Sequence, residues 1–256
     1  MKKIIPYLLI PLLLTLLILL IIDNKEEINP KVITIDTNHS YLYNKSNTTI
    51  DISLYINDIE NPIIALDAIA SSVIRDANNT KLINLEIKEV LYSHNEVYLK
   101  ENYYMFILRY EIPNLNNNFY IDEAYLDLTL SNNTSYTFKI GSFNIIYLTN
   151  GTELNWQTID SKKDNTNDLS INKIVIETES NIGEILEVYI ESEPLNYSYI
   201  NNTLIISLDN SDLYTNNIPV VITTSDKTYY LNNHQYVKDY DLIEKAKNSF
   251  NIYELN

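Results

Sequence analysis

The sequence predicts a mainly β protein: an N-terminal transmembrane helix, two tandem antiparallel β-sandwiches of the immunoglobulin-like kind, and a short C-terminal helix. Three observations carry this prediction. An uncharged apolar run opens the chain, short segments of alternating apolar and polar residues follow, and polar turn residues separate these segments. The predicted divisions are a cytoplasmic tip and anchor at 1–23, a stalk at 24–30, sandwiches at 31–148 and 169–256, and a linker at 149–168.

The anchor is the apolar run from Ile4 to Ile22, whose nineteen positions carry no charge. At about 1.5 Å of rise per residue it reaches about 28 Å as a helix, close to the thickness of a hydrocarbon core. A cleaved signal peptide is the alternative, but no small-residue cleavage pattern follows the run. Lys2 and Lys3 precede it and predict a cytoplasmic N-terminus. We therefore expect a single-pass cell-membrane protein that contacts the lipid bilayer through Ile4 to Ile22, with its remaining chain outside the cell.

Composition excludes several function classes. The 34 acidic residues outnumber the 18 basic ones, and the net charge of −16 argues against nucleic-acid binding. Cysteine is absent, which excludes disulfides, thiolate metal sites and a cysteine nucleophile. The stability of the domains must therefore come from packing.

The strand from Thr49 to Asn57 has the clearest pattern in the first sandwich. Four apolar residues alternate with polar ones and are expected to face the core: Ile50, Ile52, Leu54 and Ile56. Further strands are predicted at 31–36, 81–92, 103–112, 124–130 and 136–147. Asn132 and Asn133 mark a hairpin turn, and Gly141 a bulge or strand end. The segment 63–75 fits both a helix and a strand, and its neighbours favour the strand. Seven to eight strands over about 115 residues fit a sandwich of immunoglobulin-like size.

The linker at 149–168 is predicted from a cluster of polar residues without apolar periodicity. It contains Trp156, the single tryptophan of the chain. A surface tryptophan can anchor a partner or stack on a sugar. Burial in the joint between the two sandwiches is the favoured interpretation, because aromatic bulk is usually buried.

Strand periodicity returns in the second sandwich at 169–178, 185–191 and 203–208, and a tight hairpin is predicted around 225–227. Nine residues supply the inward positions of the three periodic strands: Ile171, Ile174, Ile176, Leu186, Val188, Ile190, Leu204, Ile206 and Leu208. The C-terminal helix is predicted at 241–250, where apolar residues recur at helical spacing with an aspartate at the start and lysines towards the end.

No catalytic, nucleotide-binding or metal-binding motif is present, and we expect no cofactor and no enzymatic activity. His39, His94 and His234 stand apart beside polar residues and are interpreted as solvated loop residues. The acidic loops at 164–168 and 209–212 are interpreted as solvated turns, because they lack the glycine and distal glutamate of an EF-hand.

Adjacent tyrosines are the candidate binding residues. Strand alternation turns one member of each pair away from the core, and exposed tyrosines make good contact surfaces. The candidates are Tyr103, Tyr104, Tyr229, Tyr230 and Trp156. The first function hypothesis is a noncatalytic binding or scaffolding module with a protein or glycan partner at the cell surface. The alternatives are an accessory subunit of a membrane transporter and a carbohydrate-active cell-envelope enzyme with a carboxylate pair.

Overall fold

The structure is a computed structural model that describes residues 29–44, 49–165, 171–190, 194–208, 217–235, 243, 246 and 249–255. Strands make up 66% of it, which confirms the prediction of a mainly β protein. The predicted anchor at 4–22 lies outside these residues. Within them, no helix has the length and apolar character needed to cross a membrane.

The strands follow one another with few other elements. Those of the first half are β1 (Lys31–Ile35), β2 (Thr37–Tyr43), β3 (Thr49–Ile56), β4 (Ile69–Asp76), β5 (Leu82–Tyr98), β6 (Glu101–Glu111), β7 (Phe119–Leu130) and β8 (Ser135–Tyr147). Those of the second half are β9 (Thr152–Glu153), β10 (Trp156–Lys162), β11 (Lys173–Thr178), β12 (Ile185–Tyr189), β13 (Tyr197–Ile200), β14 (Thr203–Ser207), β15 (Asn217–Thr224) and β16 (Thr228–Gln235). β17 (Phe250–Glu254) ends the described chain, and two short 3-10 turns, Pro62–Ile64 and Leu66–Ala68, precede β4.

The first half forms one nine-stranded sheet in the order β17-β1-β3-β6-β5-β4-β7-β8-β2. β2 and β8 run parallel, and the other neighbouring strands run antiparallel. Side chains from β3 and β6 share one core with side chains from β4, β7 and β8. The sheet therefore folds over on itself into two layers, and the long strand β5 belongs to both.

The faces of β3 agree with the prediction. Its four inward residues are fully buried in this core: Ile50, Ile52, Leu54 and Ile56. Tyr55, on the opposite face, is also buried, because Ile243 and Ala246 pack over it together with residues of β1 and β6.

The segment 63–75, for which a strand was favoured, is mixed. Asn61 accepts a hydrogen bond from the backbone N–H of Ile63 (3.2 Å) at the start of the first 3-10 turn, and Pro62 occupies a position where no backbone donor is needed. The strand β4 begins only at Ile69.

The second half is a sandwich of two four-stranded sheets, β10-β11-β14-β13 and β12-β15-β16-β9. Both sheets contribute to one core that includes Ile174, Ile206, Val188 and Val220. Leu186 does not face this core as predicted, because a register shift between Ile185 and Glu187 leaves it 56% exposed.

The predicted linker at 149–168 carries two strands, β9 and β10, of the second sandwich. β10 pairs only with β11 among the described strands, and its residues are exposed or half-buried. An edge strand of this kind has no continuous apolar face, so its sequence lacks the periodicity of a buried strand.

The predicted C-terminal helix at 241–250 lies largely outside the described residues, and its last residue, Phe250, begins β17 instead. All five residues of β17 pair with β1, and the backbone N–H of Leu255 donates to the carbonyl of Pro30 (2.8 Å). The last strand of the chain thus returns to the first half, next to the residue that ends the predicted stalk.

The two halves also contact each other directly. Leu42 and Ile146 of the first half pack with Val221 of the second half, and all three are at most 2% exposed. Beside them, the buried Ser40 hydroxyl donates to the carbonyl of Ile190 (2.5 Å). This joint is apolar at its centre and carries a buried hydrogen bond.

Candidate functional site

A cleft of about 770 Å³ opens at the corner of the first half where β5 passes from one layer to the other. Three short stretches line it: 69–72 of β4, 84–87 of β5 and 111–114 at the end of β6. Its volume lies within the range of ligand-binding clefts in proteins.

The cleft exists because β5 changes partners. β5 pairs with β4 as far as Leu85, which lies opposite Ser72, and with β6 from Glu86, which lies opposite Glu111. Residues 69–71 of β4 therefore continue past the ladder with β5 and keep only β7 as a neighbouring strand in the described part of the chain. Ala70 and Ser71 are exposed at this open edge.

Two neighbouring hydroxyl groups are buried beneath the cleft, those of Ser72 and Tyr110, and neither has a further hydrogen-bond partner among the described residues. Ser72 belongs to the cleft lining and is 2% exposed, while Tyr110 is fully buried. Burial raises the pKa of Tyr110, and a hydrogen bond with the Ser72 hydroxyl opposes this rise to a smaller extent. The pair belongs to the packed interior rather than to the open part of the cleft.

The mouth of the cleft carries a charged triad. Lys88 Nζ lies 2.6 Å from a carboxylate oxygen of Glu86 and 2.6 Å from one of Glu111. A register shift between Ile87 and Glu89 makes Lys88 the extra residue of a bulge and places it beside both carboxylates. These hydrogen bonds, first that of Glu111 and then that of Glu86, raise the pKa of Lys88. Two carboxylates against one ammonium group leave one net negative charge at the mouth.

The structure does not bring the predicted binding residues together. Tyr103 is 2% exposed and donates to Glu101 (2.9 Å), and Tyr104 is half-buried. Tyr229 packs against the core of the second sandwich, and Tyr230 packs against the joint between the halves. None of these four tyrosines lines the cleft.

The sequence favoured burial of Trp156 in the joint between the two halves, and the structure corrects this interpretation. Trp156 begins β10 and is 46% exposed. The joint is filled instead by the aliphatic side chains of Leu42, Ile146 and Val221. The aromatic side chains at the joint come from β12 and β16 instead, since Tyr189 and Tyr230 pack against these three residues.

The histidines also differ from the prediction of solvated loops. His39 is 5% exposed within β2, where its ring stacks on Tyr41. His94 lies within β5, and its Nε2 is 3.0 Å from a carboxylate oxygen of the buried Glu96. The other carboxylate oxygen of Glu96 accepts from the backbone N–H of Ile243 (2.9 Å), so this cluster holds the C-terminal segment in place. His234 lies on β16, and its side chain is outside the described residues.

The acidic loops give no metal site in the described part of the chain, where no cluster of three metal-ligating residues is found. Asp164 accepts from Lys173 (3.0 Å), whereas residues 166–168 of that loop and the loop at 209–212 lie outside the described residues.

Comparison with known proteins adds little beyond architecture. No protein-family model and no curated protein matches the chain. Similar solved structures include a marsupial T cell receptor, with 10% identity over 80% of this chain and 60% of that chain and a TM-score of 0.24. Another is the sialic acid binding region of a Streptococcus sanguinis SK1 adhesin, with 8% identity over 80% and 78% and a TM-score of 0.22. A third is BcpA, the major pilin subunit of Bacillus cereus, with 9% identity over 80% and 71% and a TM-score of 0.20. At these TM-scores the likeness carries no argument about function.

Removing the two buried hydroxyls is expected to stabilise the protein. Ser72→Ala and Tyr110→Phe together delete two buried hydroxyls whose described partners are only each other, so the double variant should unfold with a free energy equal to that of the wild type or about 1 kcal/mol higher. Chemical denaturation followed by circular dichroism measures this. Ser142→Ala is the matched control, because its hydroxyl donates to Asn38 (3.0 Å) and its loss should destabilise. A double variant that is less stable by more than about 1 kcal/mol would show that the two hydroxyls have hydrogen bonds with other groups.

Proposed function

We propose that this chain is a noncatalytic binding module, anchored in the cell membrane by residues 4–22 and carrying its ligand site in the cleft between β4 and β6. One observation carries the proposal: a cleft of about 770 Å³ lies against the edge of β4 that β5 leaves unpaired, where Ala70 and Ser71 are exposed. The volume of this cleft is in the range in which proteins bind ligands.

The carboxylates at the cleft favour binding over glycoside hydrolysis. Hydrolysis by a carboxylate pair needs one protonated carboxylic acid facing the scissile bond. Glu86 and Glu111 instead share the ammonium group of Lys88, at 2.6 Å each. Their side chains are 74% and 58% exposed, in contact with solvent rather than inside a closed site. This arrangement supplies charge at the mouth of a binding site.

The proposal is tested by crosslinking from the cleft. The chain has no cysteine, so Ser71→Cys gives a single attachment point on the exposed edge of β4. The variant is labelled with a photoreactive maleimide on washed membranes from the source cells, where the proposed anchor requires the protein to sediment. Ser225→Cys, at the exposed turn between β15 and β16, is the matched control.

We expect a discrete crosslinked species from position 71 and not from position 225. Filling the cleft with Ala70→Trp in the Ser71→Cys background should remove that species, because Ala70 lines the same edge. Equal labelling from both positions, or crosslinking that survives the tryptophan, would refute the cleft as the binding site. If the captured molecule is a transporter, the chain is an accessory subunit that uses this site.

A further inference from the structure

We propose that the occupant of the cleft is an extended peptide segment of a partner protein, which adds a strand to the open edge of β4 and places a basic side chain against the outer, exposed side of the carboxylates of Glu86 and Glu111. This inference rests on the proposed function and specifies the ligand of the same site.

The open edge of β4 is the first reason. Ile69 and Ser71 pair with β7 on one side, with Ala70 at the register shift between them, and all three lie beyond the ladder with β5 on the other side. An extended peptide binds such an edge through main-chain hydrogen bonds, as in β-strand addition. The exposed Ala70 and Ser71 have short side chains, which leave the backbone of this edge accessible.

The lining of the cleft fits the alternating side chains of a strand. The inner side is formed mainly by aliphatic residues, and the mouth by charged and amide groups. Successive side chains of an extended peptide point to opposite sides. One set would therefore contact Ile69, Leu85 and Ile112, and the other would reach the mouth.

Charge complementarity selects a basic peptide. The triad of Glu86, Lys88 and Glu111 has one net negative charge, and the whole chain carries −16. An arginine or lysine of the ligand adds a second cation beside two carboxylates that share only one. A saccharide fits less well, because the described residues that line the cleft include no tryptophan, tyrosine or phenylalanine that could stack on a sugar ring.

The inference is tested with a displayed library of random linear seven-residue peptides, selected against the full chain in lipid nanodiscs. We expect the selected peptides to contain a basic residue. In a second experiment, either the odd-numbered or the even-numbered backbone amides of a selected peptide are N-methylated, and we expect only one of these two sets to abolish binding. Such a difference between the two sets is diagnostic of strand pairing, since only every second amide faces the partner strand.

Variants of the site and one matched control assign the selected peptides to the cleft. Glu86→Gln with Glu111→Gln should weaken binding about tenfold at low salt and reduce its salt dependence. Glu89→Gln, on the same strand but bound to Arg109 (3.2 Å), should leave the affinity unchanged.

Each result supports or overturns the inference. Peptides that tolerate N-methylation of both sets of amides, or that bind the glutamine double variant as tightly as the wild type, overturn it. Failure of all library peptides to bind, or binding of purified glycans in their place, overturns it as well. The proposed function stands in these cases if crosslinking from position 71 still captures a partner, and it falls only if that crosslinking fails.

Discussion

Replacing Gly141 by alanine is expected to lower the free energy of unfolding by about 3 kcal/mol or more. Gly141 has φ +101°, a conformation that residues with a side chain rarely adopt. A Cβ atom there would overlap with the backbone nitrogen and oxygen of Thr37 and lie 2.9 Å from its carbonyl carbon. Thr37 pairs with Gly141 in the parallel ladder of β2 and β8, so the overlap forces the two strands apart. Urea denaturation followed by circular dichroism measures the effect.

Gly183→Ala is the matched control for this prediction. Gly183 also has positive φ, +90°, but a Cβ atom added there would meet no atom within 4 Å. Its replacement should cost only the conformational strain, about 1–2 kcal/mol. If Gly141→Ala and Gly183→Ala lower the free energy of unfolding equally, then β2 and β8 do not pack as closely as the structure shows, and the prediction is contradicted.

Leu54→Asp is expected to destabilise the first half by about 4 kcal/mol or more, because it places an unpaired charge in a closed core. Leu54 is fully buried on β3, among side chains from both layers of the sheet. Ser53→Asp is the matched control. Ser53 is half-buried on the opposite face, and its change should cost no more than about 1 kcal/mol. Thermal and urea unfolding of both variants decide the comparison, and similar losses would show that the faces of β3 are assigned wrongly.

The sequence predicts this fold well where a strand buries one face and exposes the other. β3 is the clearest case, since its apolar residues alternate strictly and all of them are buried. The hairpin of β7 and β8 is similar: Asn133 adopts φ +69° in its turn, a conformation that asparagine tolerates better than most residues. Gly141 marks a bulge as predicted, with register shifts on either side of its partner Ala124.

Prediction failed where structure depends on distant partners. β10 carries no apolar face, so its sequence resembles a loop until β11 lies beside it. β17 follows the segment predicted as a helix and shares only Phe250 with it, and no strand was predicted there, although Tyr253 and Leu255 alternate in the manner of a strand and contact the core of the first half. Its pairing with β1 joins residues more than two hundred positions apart, which no local pattern reveals.

The candidate site was beyond sequence analysis for the same reason. The cleft forms where β5 exchanges β4 for β6, and this exchange is a property of three strands together. One local signal did exist: Ser72 occupies an inward position of its strand, two residues before the buried Ile74. The tyrosine pairs drew attention instead, yet Tyr103 and Tyr230 are covered by packing that only the folded chain provides.

The position of a bound peptide tests the central claim most directly. Backbone amide hydrogen exchange is measured on the full chain in nanodiscs, with and without a selected basic peptide. We expect protection to concentrate at 69–72 and 111–114, while the amides of Tyr103, Tyr104, Tyr229 and Tyr230 exchange at unchanged rates. Protection at those tyrosines or beside Trp156, with none at the cleft, would contradict the account.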